Sequence, residues 1–211
     1  LQKEMLLEEM RHRIVNSLQI IASILMLKAR AVTSEETREH LEDAHRRVLS
    51  VAAVQQHLHS ATMGEPMDIA PYFDKLCGSL AESIIGESRP AVLKVIADSG
   101  TVISSDAVSL GLIVTELVIN ALKYAFPDNK PDAEVTVRYE VNGTDWKLSV
   151  SDNGVGRKDG EGPPAKGGLG TSLVKALASQ LDAKVATQSS ADGMMVSVAH
   201  ATFSARVPEA A

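Results

Sequence analysis

Aromatic residues are scarce in this chain: one Trp, three Tyr and three Phe make up 3% of its 211 residues. Its core therefore has to be built from Leu, Ile, Val, Ala and Met, within a hydrophobic share of 45% that is ordinary for a globular protein. There is a single cysteine, Cys77, so no disulfide can close within the chain, which suits a reducing, cytoplasmic setting. Cys77 lies in an apolar pattern with Tyr72, Phe73, Leu76 and Leu80, and it reads as packing and not as a nucleophile. No apolar run is expected to reach the ~20 residues that span a membrane, and no signal peptide is seen. The formal charge of −6 comes with no basic cluster, which argues against direct DNA or RNA binding.

Glycine and proline are absent from residues 1–62, whereas all 14 Gly and all 8 Pro lie beyond. That shift, punctuated by Gly64 and Pro66, predicts a domain boundary: a first domain over 1–62, a linker over 63–67 and a second domain over 68–211. The first part balances its charges, so the net negative charge belongs to the second. Leu18, Ile21, Leu25 and Lys28 follow helical spacing, with Ile14, Val15 and Ile24 widening the stripe. Ala31 to Ser34 can hold a turn, with Ser34 as N-cap and Glu35 and Glu36 in the next first turn. A second helix then carries Leu41, Ala44, Val48, Val51, Val54 and Leu58 in a heptad-like seam. Two such helices cannot bury both stripes alone. A helical hairpin that completes a four-helix bundle with a second copy, a homodimer, is expected from the pattern, with packing against the second domain as the alternative.

The second part mixes elements. Ala91 to Ala97, Ala133 to Val141, Trp146 to Ser151 and Met194 to Val207 read as strands. Ser104 or Ser105 is expected to cap a helix through Leu112, Ile113, Leu117 and Ala121, and another helix follows Gly170. This combination predicts an α+β or layered α/β sandwich.

Four groups of residues suggest chemistry. Spacings of three and four put Glu9, His12 and Asn16 on one helix face, with Arg13 beside them. A carboxylate there can accept the imidazole proton and leave the other ring nitrogen to attack phosphorus, while the amide could orient a water for the reverse reaction. Glu116, Asn120 and Lys123, with Tyr124 closing the string, share a face of the later helix. An Asn inside a strong helix costs propensity. Its carbonyl, one turn from a carboxylate, suits a hard cation such as Mg²⁺, with Lys123 meeting phosphate; a plain solvent-facing polar stripe is the alternative. Asp152, at a strand end, can accept a hydrogen bond from an exocyclic amine such as that of adenine, and Gly154 and Gly156 permit unusual angles and close ligand approach. The same string could be a hairpin turn. Finally Gly167, Gly168, Leu169, Gly170 and Thr171 follow a polar Gly/Pro-rich stretch, as a mobile lid leading into a phosphate-binding helix start would, or as a linker would.

Together these groups resemble the histidine kinases. Asn120 is similar to the N box, Asp152-Gly154-Gly156 to the G1 box and Gly168-Leu169-Gly170 to the G2 box of the GHKL (Bergerat) ATP-binding fold shared with gyrase, MutL and the heat-shock chaperones of that superfamily. The string His12-Arg13-Ile14-Val15-Asn16 resembles the HRxxN signature of the HisKA_2 and HWE groups, and Leu18, Gln19 and Glu9 fit the HisKA_2 version. The resemblance implies a dimerisation and phosphotransfer hairpin followed by an ATP-binding domain. It implies that Asn120 holds Mg²⁺, that Asp152 reads adenine, and that His12 takes the γ-phosphoryl of ATP and passes it to an aspartate of a response-regulator receiver domain. Thr202 matches, more weakly, a position near the adenine pocket. Arg11 stands where a second His is frequent, Val15-Asn16-Ser17 where Lys-Asn-Asn is common, and Gly167-Gly168 where Gly-Ser is frequent.

A phosphatase-biased member of the same family is the first rival, with Asn16 guiding water to the regulator's phosphoaspartate. A phosphotransferase that has lost ATP binding disagrees with Asn120, Asp152 and the glycine boxes. A serine-kinase anti-sigma factor or a conformational clamp of the superfamily would lack the histidine hairpin. His57 and His59 form too small a set for a metal site, and His40 and His45 lack the companions of His12. The start at Leu1 instead of Met reads as a piece of a longer protein, with a sensor domain upstream and absent from this chain.

Overall fold

The computed structural model describes residues 2–58, 66–84, 91–127, 130–156 and 169–200. The chain divides into two compact units, Leu1–Glu65 and Pro66–Ala211.

The first unit is an antiparallel pair of helices, α1 (Gln2–Ala31) and α2 (Glu35–His57). Ser34 caps α2 as its residue type predicts, its hydroxyl accepting from the Thr37 N–H at 3.3 Å. Glu35 and Glu36 occupy the first turn, where the helix dipole favours carboxylates. The turn is closed by Arg38, which donates to the Val32 carbonyl at 3.2 Å. The seam between the helices uses Val15, Ala22 and Ala29 from α1, with half-buried Arg11, Leu18 and Leu25 completing a four-three repeat. From α2 it uses Ser50, Ala52, Val54 and Leu58. Small residues at Ala22 and Ala29 let the backbones approach, and His45 reaches across to the Ala22 carbonyl at 2.7 Å.

The apolar stripe expected on α1 therefore divides. Ile14, Ile21 and Ile24 are 45%, 46% and 52% exposed, so they do not belong to the hairpin seam. At ~100° per residue they lie about 60–140° around the helix from it, and form a second apolar face with Leu6 and Met10. By length and hydropathy alone Met5–Ala31 and Ser104–Tyr124 could cross a membrane, which corrects the expectation that no segment could. The second is mostly buried in protein, and the first carries the seam just described.

The second unit contains a five-stranded sheet in the order β2-β4-β5-β7-β6. Its strands are β2 (Ala91–Ala97), β4 (Ala133–Asn142), β5 (Asp145–Asp152), β6 (Ala183–Ser190) and β7 (Gly193–His200). β2 and β4 are parallel and the remaining neighbours antiparallel. A short pair, β1 (Pro66–Asp68) with β3 (Thr101–Ile103), lies apart from it. α3 (Ile69–Ile84) is the apolar pattern around Cys77, now seen as a helix. α4 (Ser104–Tyr124) and α5 (Leu169–Gln180) correspond to the two expected helices.

Alternation along β4 sends Val135, Val137 and Tyr139 inward and leaves Arg138 outside. Leu148, Val150 and Val198 continue the inner face on β5 and β7. α4 is buried on nearly all sides from Ala107 to Val118, as a helix packed between a sheet and neighbouring helices must be. Four of the scarce aromatics line up through the core: Tyr72 near Phe73, Phe73 edge-on to Tyr139, and Tyr139 stacked on Trp146, which stacks on His200. The Tyr72 hydroxyl donates to the Ala107 carbonyl at 2.9 Å, fixing α3 on α4.

Two expectations need correction, and a third holds over the described residues. The N-cap of α4 is Ile103, which makes no side-chain cap bond, because β3 runs straight into the helix and puts Ser104 inside it. The single strand expected from Met194 begins at Gly193 and ends at His200 within the described residues; residues beyond 200 lie outside them. β6 was not anticipated: it is an edge strand with Lys184 and residues 186–190 exposed, so it shows no apolar run.

Candidate active site

In the hairpin, His12 and Asn16 each follow a seam residue, Arg11 and Val15, by one position. One step around the helix turns them away from α2, and both are exposed. Arg13 holds Glu9: its Nη2 and Nε lie 2.6 and 3.2 Å from Glu9 Oε1. The carboxylate expected to serve His12 is therefore engaged by a neighbouring cation on the same exposed flank. Arg11, half-buried, donates from Nη1 to the Leu58 carbonyl at the C-terminus of α2, 3.1 Å away.

In the second unit, α4 places Glu116, Asn120, Lys123 and Tyr124 along a line from core to surface. Glu116 is 3% exposed, Asn120 half-buried, and Lys123 and Tyr124 exposed. The solvent-facing alternative fails at Glu116: a carboxylate is not buried in a helix core without a compensating interaction. The Lys123 ammonium lies 5.3 Å from the centre of the Tyr124 ring.

Asp152 ends β5 and is half-buried. Its Oδ1 accepts from the N–H of Gly154 at 3.0 Å and of Met194 at 3.3 Å. Burial raises its carboxyl above the usual Asp range, and the two N–H donors offset part of that rise. The loop after it touches the end of α4, where the Val155 N–H donates to the Ala125 carbonyl at 3.0 Å. The helix bearing Asn120 and the loop bearing Asp152 are thus joined directly.

The glycines of this loop supply the unusual backbone angle expected of them at Gly156 and also admit the protein's own backbone. A Cβ on Gly154 would lie 2.2 Å from the Ala125 oxygen, and one on Gly156 would lie 1.8 Å from the Ser190 oxygen. Gly156 also has φ +58°. The close approach recorded here is by the protein's own backbone on two sides. Of the last group, Leu169 and Gly170 begin α5, Gly170 is buried and Thr171 exposed; Gly168 and Thr202 lie outside the described residues. On β7 the register brings Met194 opposite Asp152.

Sequence reasoning missed Asn153, Lys130, Gly193 and Met194. Asn153 and Gly193 stand in turn-like strings that were visible, but their partners depend on strand register.

Residues 9–84 match the HisKA_2 family, described as histidine kinase. Residues 105–211 match the histidine kinase-, DNA gyrase B-, and HSP90-like ATPase family. The chain is 31% identical over 179 residues to the sensor histidine kinase PdtaS of Mycobacterium tuberculosis, covering 85% of this chain and 35% of that protein. It is 27% identical over 195 residues to blue-light-activated histidine kinase 2 of Erythrobacter litoralis, covering 91% and 56%. It thus spans about a third to a half of the length of these curated relatives. The histidine kinase domain of the Erythrobacter litoralis EL346 blue-light activated histidine kinase shares the fold, with a TM-score of 0.64 at 21% identity over 88% of this chain and 95% of that one. An exposed His12 on a two-helix hairpin, followed by a mixed sheet whose Asn120 helix meets the Asp152 loop, accompanies both matches. The chain belongs to the histidine kinase family, as a HisKA_2-type member whose C-terminal part is of the histidine kinase-, DNA gyrase B-, and HSP90-like ATPase family.

Proposed function

We propose that this chain is a kinase core that phosphorylates its own His12 from ATP and passes the phosphoryl group to an aspartate of a response-regulator receiver domain. Residues 1–62 would form the dimerisation and phosphotransfer hairpin, 63–67 the linker and 68–211 the ATP-binding domain, working in the cytoplasm as a homodimer. The observation that carries this reading is the pairing, in one chain, of an exposed histidine on the hairpin with a half-buried Asp152 locked at a strand end beside the Asn120 helix.

Asp152, with Oδ1 held by two N–H groups, has Oδ2 to accept the adenine amine. Asn120 and Glu116 offer a carbonyl and a carboxylate oxygen one turn apart, and such hard donors fit Mg²⁺. Among the described residues no group of three His, Cys, Asp or Glu could hold a metal, so phosphate and water would complete the shell. Bound Mg²⁺ would neutralise charge on the transferring phosphoryl group. Lys123 and Tyr124, with the backbone of Gly154, Gly156 and the Gly168–Thr171 segment and Thr202, would line the nucleotide. A ring nitrogen of His12 attacks the γ-phosphorus, the bond to ADP breaks, and the imidazole proton leaves to a carboxylate such as Glu9, which Arg13 orients. Asn16, exposed on the same flank, would place a water for the reverse dephosphorylation.

Incubation with γ-labelled ATP and Mg²⁺ tests this. Acid-labile label on the intact chain, lost in His12→Ala and Asn120→Ala, supports it. ATP binding without label would favour the phosphatase-biased reading, measured as loss of phosphate from a phosphorylated regulator.

A further inference from the structure

Asn153, next to Asp152, has all four of its polar groups engaged. Its N–H donates to the Glu134 carbonyl at 3.2 Å, and its own carbonyl accepts from Lys130 Nζ at 2.8 Å. Its side-chain Oδ1 accepts from the Glu134 N–H at 2.8 Å, and Nδ2 donates to the Asp132 carbonyl at 2.8 Å. Only an amide on a one-carbon stem offers an acceptor and a donor at this reach: Asp lacks the donor and Gln is a carbon longer. Asn153 therefore ties the end of β5 to the turn that starts β4.

We infer that Asn153, with Lys130, is a positioning residue for adenine recognition: it fixes the loop whose Gly154 N–H aims the Asp152 carboxylate. This rests on the reading of Asp152 as the adenine acceptor. The geometry supplies the link. Asp152 Oδ1 is held between an N–H of the 153–156 loop and an N–H of β7, so its plane depends on where that loop sits. Gly154 abuts Ala125 and Gly156 abuts Ser190, which block movement toward α4 and the β6–β7 turn. On the side of β4 the loop is held by Asn153 and Lys130. Without them the Gly154 N–H shifts and the carboxylate loses its aim, while Asn120, Lys123 and Tyr124 on α4 stay in place.

The test compares binding of ATP and of purine riboside 5′-triphosphate, which lacks the 6-amino group, to the whole chain with Mg²⁺. The intact chain should prefer ATP, and Asp152→Asn should abolish that preference. Asn153→Ala should lower the preference about tenfold, the worth of one charge-assisted hydrogen bond, with affinity for the analogue changed much less than affinity for ATP. Lys130→Met should act in the same direction and Lys130→Arg should restore the preference. Retained analogue affinity also reports that each variant is folded. Should Asn153→Ala not fold, the Lys130 pair decides. Equal loss for both nucleotides, or an unaltered preference in the variants, would overturn the inference while leaving Asp152 as the reader. An intact chain that does not prefer ATP, or a preference that survives in Asp152→Asn, would overturn the reading on which it rests.

Discussion

Gly193 stands so close to Asp152 that a Cβ added to it would lie 1.9 Å from the Asp152 carbonyl oxygen. Its φ of +137° is also one that side chains rarely adopt. Gly193→Ala must therefore push the β6–β7 turn away from Asp152, and with it the Met194 N–H. Gly143 provides the comparison: φ is +65°, but nothing lies within 4 Å of its would-be Cβ. Gly143→Ala is expected to cost about 1–2 kcal/mol in urea unfolding, from backbone strain alone. Gly193→Ala should cost more and should also weaken ATP binding. Equal losses in the two variants would contradict the close packing.

The charge on Asp152 serves binding at the expense of stability. Burial raises its folded pKa, so its contribution to stability is fully present below the ordinary Asp pKa and is lost as pH rises through the raised value. At neutral pH the ionised carboxylate is thus a net burden on the fold. Asp152→Asn keeps an acceptor oxygen for Gly154 and Met194 and removes that burden. Its Tm at pH 7 should equal or exceed that of the intact chain, while ATP affinity falls about tenfold or more. A lower Tm at pH 7 would show that the carboxylate is a structural asset.

The two apolar faces of α1 should separate in mutagenesis. Ile21→Lys and Ile24→Lys alter positions exposed in the single chain, so each should leave helix content nearly unchanged while shifting the chain toward monomer in sedimentation and making Tm less dependent on concentration. Ala22→Leu enlarges a side chain that is 1% exposed in the hairpin seam and should cost about 1–3 kcal/mol by overpacking. An unchanged oligomeric state in both lysine variants would exclude that face as the dimer surface.

Burial pushes the Cys77 thiol up to about 12 from its ordinary 9.0, with the nearby Asp74 adding to the rise. Stability from this group is whole below pH 9 and declines as pH climbs toward 12. A thiol reagent at pH 8 should leave the folded chain unlabelled over hours and modify it rapidly in urea. Fast labelling of the folded chain would mean that Cys77 is not a packed core residue.

The long regularities were legible in the sequence and the pairings were not. The glycine- and proline-free opening, the Ser34 cap and the Val-rich strands at Ala91 and Ala133 needed only local chemistry. Which of two apolar stripes on α1 meets α2 was hidden, because Ile21 and Ala22 both suit a helix interface and only the partner's surface chooses. β6 escaped because Ala186 to Ser190 are exposed on both faces of this edge strand, which leaves no alternating signal. Of the candidate site, Asn120 stood out by being costly inside a helix and Asp152 by ending a strand just before two spaced glycines. Asn153, Lys130 and Gly193 did not, since each acts across a register that no single segment encodes.

The most direct measurement locates the phosphoryl group. The chain is incubated with ATP and Mg²⁺, kept at alkaline pH, digested and mapped by mass spectrometry. A single acid-labile phosphoryl group on the peptide holding His12, absent in Asn120→Ala, is the predicted result. Phosphate on another residue, or an acid-stable adduct, would contradict the assignment of His12 as acceptor.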